Sequence, residues 1–260
     1  MIMAMLEVKG LTMRFGGLTA VENANFEVNE GELVALIGPN GAGKTTIFNV
    51  LTGLYDTAEG ERTFNGVSLK GKTPQQIVEL GISRTFQNLR LYRNMRVIEN
   101  VMLGHHIKTK YSFADLLFRT PKFKDGEVEA TQRALDILSD IGLADMRDRY
   151  ADSLPYGEQR RLEIARAIAT GAKLLLLDEP AAGMNPSESE QLMEFIRSLL
   201  KKGFTILMIE HDMNVVMNVS DRIYVFDFGK LIASGKKEEI INNPRVIEAY
   251  LGGGANKNDA

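Results

Sequence analysis

The stretch Leu33-Val-Ala-Leu-Ile-Gly-Pro-Asn-Gly-Ala-Gly-Lys-Thr-Thr-Ile-Phe-Asn-Val-Leu51 decides the fold. Its opening apolar run predicts a buried strand, and the residues after the second threonine have the apolar spacing of a helix. Between them, Gly38 and Gly43 bracket four residues and are followed by Lys-Thr. This spacing is typical of a loop that wraps backbone N–H groups around phosphates at the N-terminus of a helix. The stretch therefore predicts a phosphate-binding loop.

The residue types of this loop fit phosphate binding. Glycines are required because the backbone must approach the phosphate oxygens without an intervening Cβ atom. Lys44 is expected to reach the β- and γ-phosphates, and the hydroxyl of Thr45 is expected to hold Mg²⁺. The loop residues predicted to bind the nucleotide are Gly38, Pro39, Asn40, Gly41, Ala42, Gly43, Lys44, Thr45 and Thr46.

The composition is that of an ordinary soluble globular protein. The chain has 260 residues, of which 44% are hydrophobic and 25% are charged. Its net charge of -3 gives no electrostatic case for binding nucleic acid, and the absence of cysteine excludes disulfides and cysteine metal sites. No apolar run approaches the length of a membrane span. If the protein acts at a membrane, another chain is therefore expected to span that membrane.

Strands and helices are predicted to alternate along most of the chain. This alternation predicts an α/β fold with a mainly parallel sheet and helices on its faces. Residues 60–69 predict a polar hairpin or meander, and residues 95–149 are helical in pattern. In that helical stretch Val97, Val101 and Leu103 are expected to share one face, and Val128, Leu135, Leu138 and Ile141 another, closed by Gly142 as a C-cap. The predicted strands are 5–11, 26–29, 33–37, 81–87, 173–177, 205–209 and 222–226, and the predicted helices outside 95–149 are 74–80, 157–170 and 187–202.

Polar residues follow several predicted strands, and ligands of parallel sheets bind at the carboxyl ends of strands. Gly38, Gln87, Asp178 and His211 are each expected directly after a strand and should converge on one site. Asp178 is predicted to bind Mg²⁺ through water, and Glu179 to orient or deprotonate the attacking water. His211 would donate to the γ-phosphate, and Gln87 would sense Mg²⁺ and the γ-phosphate.

Two features leave two interpretations open, and a third has one preferred interpretation. Phe15, just before a Gly-Gly pair, could stack on an adenine or pack in the core. Residues 108–126 interleave basic and aromatic side chains, which is typical either of a membrane or nucleic-acid contact or of a solvated loop with a few buried anchors. The His105-His106 pair is interpreted as a polar helix end rather than a metal site, because no cysteine or carboxylate cluster completes one.

In order and spacing, these motifs resemble the ABC-transporter ATPase family over nearly the whole chain. The phosphate loop resembles the Walker A loop of that family, and Gln87 its Q-loop. The other matching segments are the signature loop and helix at 154–167, the Walker B strand at 174–179, a D-loop-like segment closed by Pro186 and an H-loop at 209–212.

The resemblance implies a P-loop NTPase of ABC type, with an antiparallel β-subdomain and an inserted helical subdomain. It implies ATP and Mg²⁺ as ligands and Phe15 as the residue that stacks on the adenine. The implied divisions are 1–94 and 157–251 for the ATPase core and 95–156 for the helical subdomain. Residues 252–260, which are short, Gly-rich and polar, are predicted to be disordered.

The resemblance also implies partners. Two ATP-binding subunits, identical or different, would form a head-to-tail dimer in which Tyr156, Gly157 and Glu158 face the ATP held by the other subunit. The dimer would drive integral membrane permeases on the cytoplasmic face of the inner membrane and would be linked indirectly to a solute-binding protein. No nucleic-acid partner is expected.

The signature loop departs from the usual Leu-Ser-Gly-Gly-Gln of the family. Pro155 removes a hydroxyl that would contact the γ-phosphate, Tyr156 replaces a glycine and Glu158 replaces a glutamine. A carboxylate near phosphates should lower affinity unless it points away. Gly157 and the helix N-terminus behind it keep backbone anion binding possible.

These departures, with the segments 84–91, 99–106 and 181–186, resemble the LivG-type branch of the family, the ATP-binding subunits of branched-chain amino-acid importers. Branched-chain amino acids are therefore the expected cargo. Related systems that import urea or amides, or extract lipopolysaccharide, share much of this pattern and remain alternatives, as does a soluble ABC ATPase outside transport.

Overall fold

The computed structural model describes residues 4–107 and 112–252. Its strands are β1 (Leu6–Phe15), β2 (Leu18–Val28), β3 (Leu33–Ile37), β4 (Glu59–Phe64), β5 (Val67–Ser68), β6 (Ile82–Arg84), β7 (Leu174–Asp178), β8 (Thr205–Ile209), β9 (Arg222–Asp227) and β10 (Lys230–Gly235). Its α-helices are α1 (Lys44–Leu51), α2 (Pro74–Leu80), α3 (Val97–His105), α4 (Phe113–Leu117), α5 (Pro121–Asp140), α6 (Tyr156–Ala169), α7 (Pro186–Leu200), α8 (Met213–Val219), α9 (Lys237–Ile241) and α10 (Pro244–Gly252).

The larger sheet has six strands in the order β10-β9-β3-β8-β7-β6. All neighbours are parallel except β10, which pairs antiparallel with β9. Every residue of β3, β7 and β8 is buried, as expected for strands covered on both faces. A smaller antiparallel sheet has the order β2-β1-β4-β5. The predicted α/β fold with an antiparallel β-subdomain is confirmed.

Alternate residues of the central strands point into two different cores. Leu174 and Leu176 of β7 pack with the small sheet and α1, whereas Leu175 and Leu177 pack with α3, α5, α6 and α7. This alternation is the two-residue period of a strand. The larger sheet therefore separates the β-subdomain from the helices that pack on its other face. The carboxyl ends of its parallel strands lie along one edge.

The helices of residues 97–169 pack tightly around α6. Gly104 of α3 allows this, because a Cβ atom there would lie 2.3 Å from the carbonyl oxygen of Arg166 in α6. The predicted helical stretch 95–149 is broken, since α3 ends at His105 and α5 begins only at Pro121. Within the described ranges, none of the helices combines the length and the apolar character that crossing a bilayer requires.

Several details of the sequence prediction are wrong. The strand predicted at 81–87 ends at Arg84, so Gln87 lies three residues beyond it. Val128 is 69% exposed and Leu103 only half-buried, because the 3.6-residue period turns both away from the faces that α5 and α3 bury. Gly252, placed in the predicted disordered tail, is the last residue of α10, and residues 253–260 lie outside the described residues.

Other details agree or remain open. Gly142 follows α5 with a φ of 74°, as a glycine beyond a helix C-cap should. The predicted boundary between residues 156 and 157 falls inside the first turn of α6. Part of the 108–126 segment, residues 108–111, lies outside the described residues.

Candidate active site

The phosphate loop connects β3 to α1, as predicted. Gly38 has a φ of 147°, and a Cβ atom there would lie 1.9 Å from the carbonyl oxygen of Phe226 in β9. Gly43 has a φ of 94°, and its Cβ atom would lie 2.5 Å from the carbonyl oxygen of Ala20. The two glycines are therefore required by the backbone packed behind the loop.

The side chain of Lys44 folds back onto the phosphate loop. That side chain is nearly buried, and its ammonium donates to the carbonyl oxygens of Gly38, at 2.6 Å, and Pro39, at 3.0 Å. Burial lowers the pKa of Lys44, and the charges of Glu179 and Asp178 partly offset that effect. The ammonium lies at the centre of the loop, where phosphate oxygens can replace the carbonyls as its acceptors.

The front of the loop is open to solvent. Asn40, Gly41 and Thr45 are exposed, and Thr46 is half-buried. Gly43, the N-cap of α1, has no side chain that could accept from the first N–H groups of the helix. The positive end of α1 therefore faces the loop without a capping acceptor and is suited to an anion.

Asp178 is the last residue of β7 and is almost completely buried. Its Oδ2 atom accepts a hydrogen bond from Nη2 of Arg84 at 2.6 Å. A carboxylate at a strand end and the Thr45 hydroxyl are hard oxygen donors, and Mg²⁺ on nucleotides is usually held by such a small set together with phosphates and water. The donor set therefore fits Mg²⁺.

Glu179 brings three predicted residues together. Its carboxylate Oε2 accepts from Nε2 of Gln87 at 2.8 Å and lies 3.7 Å from Nδ1 of His211. Its backbone is left-handed, with a φ of 45°, and its N–H donates to Ile209 in the neighbouring strand. A non-glycine residue in this conformation costs on the order of 1 kcal/mol or more. The strained turn directs the carboxylate away from β7 toward Gln87 and His211.

Gln87 and His211 reach this point differently from the prediction. Neither directly follows a strand: Gln87 is separated from β6 by two residues, and Glu210 stands between β8 and His211. Gln87 is positioned from behind by Arg160 of α6, a fully buried arginine that donates to the carbonyl oxygens of Phe86 and Gln87 at 2.8 Å each. Sequence reasoning missed Arg160, although an Arg and a Glu three apart among the apolar residues of α6 were a signal for a buried ion pair.

Glu210 was also missed. It is 1% exposed, and its carboxylate accepts from the backbone N–H groups of Ala181, at 2.9 Å, and His211, at 3.3 Å. Burial raises the pKa of Glu210, and these two hydrogen bonds partly oppose the effect. Glu210 therefore ties the segment after Glu179 to the segment that carries His211.

Phe15 lies at the end of β1 with 41% of its surface exposed. Its ring meets that of Tyr55 edge-on, with centroids 5.2 Å apart. The interpretation of Phe15 as a core residue is therefore wrong. A partly exposed aromatic ring is free to stack on a planar ligand.

The residues predicted to act on a second subunit lie at the start of α6. The hydroxyl of Tyr156 donates to the carbonyl oxygen of Ala182 at 3.0 Å, which lies beyond Glu179 rather than on the phosphate loop. A Cβ atom on Gly157 would meet nothing within 4 Å among the described atoms. Oε2 of Glu158 is buried and accepts no hydrogen bond from residues 4–107 or 112–252. The start of α6 thus presents an open surface at Gly157.

Comparisons with known families and proteins identify the family of this chain. A family model described as "ABC transporter" matches residues 21–182. The chain belongs to the ABC transporter ATP-binding cassette family. A second model, described as "Branched-chain amino acid ATP-binding cassette transporter", matches residues 230–256 of this ABC ATPase.

Similar proteins cover almost the whole chain. The high-affinity branched-chain amino acid transport ATP-binding protein LivG of Salmonella typhimurium is 51% identical over 249 residues, which are 95% of this chain and 98% of that protein. The corresponding protein BraF of Pseudomonas aeruginosa is 47% identical over 95% of this chain and 97% of its own length.

Solved structures agree with the fold. An ATP-binding cassette of an ABC transporter in its ADP conformation is 34% identical, with a TM-score of 0.84, and the match covers 96% of this chain and 99% of that chain. A dimeric cassette in a post-hydrolysis state with bound ADP and Pi is 26% identical, with a TM-score of 0.72, over 90% of this chain and 99% of that chain. The ABC-type P-loop fold predicted from the sequence is confirmed.

Proposed function

We propose that this ABC ATPase powers the import of branched-chain amino acids through separate membrane permeases. The carboxylate of Glu179, held by Gln87 beside His211 and preceded by the buried Asp178, is the observation that supports ATP hydrolysis at this edge of the sheet. The proposed cargo is the one named for the LivG and BraF relatives.

Different residues of the chain bind the phosphates, the metal ion and the adenine. Loop residues 38–46 and the N-terminus of α1 bind the phosphates, and Lys44 exchanges its carbonyl acceptors for β- and γ-phosphate oxygens. Thr45, Asp178 and Gln87 would hold Mg²⁺, and its positive charge would stabilise the negative charge of the phosphates. Phe15 stacks on the adenine.

Glu179 orients the attacking water and takes its proton as the oxygen of that water bonds to the γ-phosphorus. The bond from this phosphorus to the leaving ADP oxygen breaks, which gives ADP and phosphate. His211 donates to the γ-phosphate and stabilises its developing charge.

The proposed assembly contains two ATP-binding subunits arranged head to tail, either two copies or a related pair. Tyr156, Gly157 and Glu158 of one subunit then complete the site on the other. The chain divides into an ATPase core, 1–94 and 157–251, and a helical subdomain, 95–156. The dimer lies on the cytoplasmic face of the inner membrane, against the permeases, and a solute-binding protein supplies the cargo.

Uptake in cells tests the proposed cargo. We expect disruption of the gene for this chain to abolish uptake of labelled leucine and to leave urea uptake unchanged. The parent gene should restore leucine uptake, and Lys44→Ala, which removes the ammonium from the phosphate loop, should not. Loss of urea uptake with normal leucine uptake would overturn the proposed cargo.

A further inference from the structure

Arg84 makes a contact that the proposed mechanism does not use. It is the last residue of β6, and its side chain is only 7% exposed. Nη2 donates to Oδ2 of Asp178 at 2.6 Å, and Nη1 donates to Oδ1 of Asn49 at 2.6 Å. The two arms of one guanidinium therefore join α1 to the end of β7.

The guanidinium is also fixed from its sides. Its Cζ atom lies 5.4 Å from the ring centroid of Phe48 and 5.2 Å from that of Phe86. Cations are attracted to aromatic faces, and the effect is larger where water is excluded. Arg84 thus has little freedom to turn, and neither has the carboxylate of Asp178 that it holds.

The placement relates Arg84 to two of the three proposed protein donors of the Mg²⁺ site, Thr45 and Asp178. Asn49 is four residues after Thr45 on α1, so both side chains lie on the same face of that helix. One arm of Arg84 anchors to this face, and the other arm occupies Oδ2 of Asp178. Oδ1 of Asp178 is the carboxylate oxygen that Arg84 does not bond, and it is left for the cation side.

We infer that Arg84 is a positioning residue, which holds the Asp178 carboxylate in the orientation that the proposed Mg²⁺ site requires, with Asn49 as its anchor. The inference rests on the proposed binding of Mg²⁺ by Asp178. Arginine suits this role because its planar fork holds two donor nitrogens apart, so that each can reach an acceptor on a different element, whereas all the donors of lysine share one nitrogen. Groups that orient metal ligands commonly change metal affinity or activity on the order of 10- to 100-fold when removed.

The test is a titration of the full chain with Mn²⁺ as the probe, in the presence of a non-hydrolysable ATP analogue, followed by electron paramagnetic resonance. Arg84→Met should raise the Mn²⁺ concentration at half-saturation on the order of 10- to 100-fold. Binding of the analogue in EDTA should change less than about threefold, because the phosphate loop is intact.

Three further variants separate positioning from a general structural role. Arg84→Lys, which keeps the charge but has one donor nitrogen in place of the fork, and Asn49→Ala should both give smaller increases than Arg84→Met. Adding Asn49→Ala to Arg84→Met should raise the half-saturating concentration no further. Arg62→Met is the matched control and should leave Mn²⁺ binding unchanged. Arg62 of β4 is also a buried arginine, with 1% of its side chain exposed, and it pairs with Asp56 at 3.1 Å.

Asp178→Asn separates failure of the inference from failure of the proposed site. If Asp178→Asn weakens Mn²⁺ binding while Arg84→Met binds Mn²⁺ as the parent does, or more tightly, Arg84 is not a positioning residue. If Asp178→Asn also binds Mn²⁺ like the parent, the proposed Mg²⁺ site itself is wrong. Should Arg84→Met fail to fold, Arg84→Lys and Asn49→Ala decide between these results.

Discussion

At the scale of single residues, the site depends on backbone positions that few side chains tolerate. Gly38 is constrained from behind by Phe226, whereas Gly157 has open space around it. The two glycines belong to the two halves of the proposed composite site. Alanine substitution therefore distinguishes a glycine that the fold requires from one that only a ligand or a second subunit would require.

Gly38→Ala should destabilise the protein by more than about 2 kcal/mol, because its Cβ atom would overlap a backbone carbonyl and its φ of 147° is strained for alanine. Gly157→Ala should leave the free energy of unfolding unchanged or raise it by up to about 1 kcal/mol, since Gly157 lies inside α6. Urea denaturation measures both. Equal costs for the two substitutions would contradict this assignment.

The burial of Glu210 predicts how the stability of the protein changes with pH. Burial raises its pKa in the folded protein, so the native state keeps a proton that the unfolded chain releases. The contribution of Glu210 to stability therefore rises as the pH falls through the raised pKa toward the ordinary value. The difference in the free energy of unfolding between the parent and Glu210→Gln should therefore be measured as a function of pH. It should shift in favour of the parent as the pH is lowered into the mildly acid range. A difference that is flat or falls on acidification would contradict the buried position of this carboxylate.

At the scale of elements, α6 and the segment that carries Gln87 are joined through one buried arginine. Arg160 is 0% exposed, and its Nη1 atom also donates to Oε2 of Glu163 at 2.7 Å. Two backbone carbonyls and a carboxylate would lose their donor together if Arg160 were removed. Removing one partner of a buried ion pair is costly because the other charge is left unpaired.

Arg160→Met should lower the free energy of unfolding by about 3–5 kcal/mol. The neighbouring Arg161 is the control: its guanidinium lies 5.3 Å from the ring centroid of Phe195, and it donates a long hydrogen bond, of 3.4 Å, to the carbonyl oxygen of Gln191. Arg161→Met should cost about 1 kcal/mol or less. Chemical denaturation of the two variants would contradict the account if the order of their stabilities were reversed.

The elements also show what a sequence can predict. The buried strands β3, β7 and β8 and the phosphate loop were predictable, because each is a local pattern of apolar residues and turn residues. The contacts of Arg84 and Arg160 were not, since their partners Asp178 and Phe86 lie far away along the chain and no local period encodes that pairing. Val128 was misplaced because an apolar residue on an exposed helix face breaks the pattern that the prediction used.

At the scale of the whole molecule, one chain carries two unlike halves of the proposed site. The phosphate loop lies between β3 and α1, and the Gly157 surface lies at the start of α6. If two copies pair head to tail, each ATP contacts the loop of one copy and Gly157 of the other. Complementation between two inactive variants tests this arrangement.

Lys44→Ala and Gly157→Glu should each hydrolyse ATP at a small fraction of the parent rate, the first because the phosphate loop loses its cation and the second because a carboxylate faces phosphate. A mixed pair has one intact site, formed by the loop of the Gly157 variant and the intact Gly157 of the other. An equal mixture should therefore regain activity, up to about a quarter of the parent rate if pairing is random. A mixture no more active than the mean of its components would argue against a site shared between two copies.

The central claim is that Glu179 is the base of an ATP-hydrolysing site. Its most direct test is the rate of ATP hydrolysis by the purified Glu179→Gln variant with Mg²⁺, measured beside its affinity for a fluorescent ATP analogue. Glutamine keeps the size of the side chain but cannot take the proton, so the rate should fall on the order of 10²-fold or more. The affinity for the analogue should stay within about threefold of the parent, because the phosphate loop is unchanged. A variant that hydrolyses ATP at the parent rate would contradict the account.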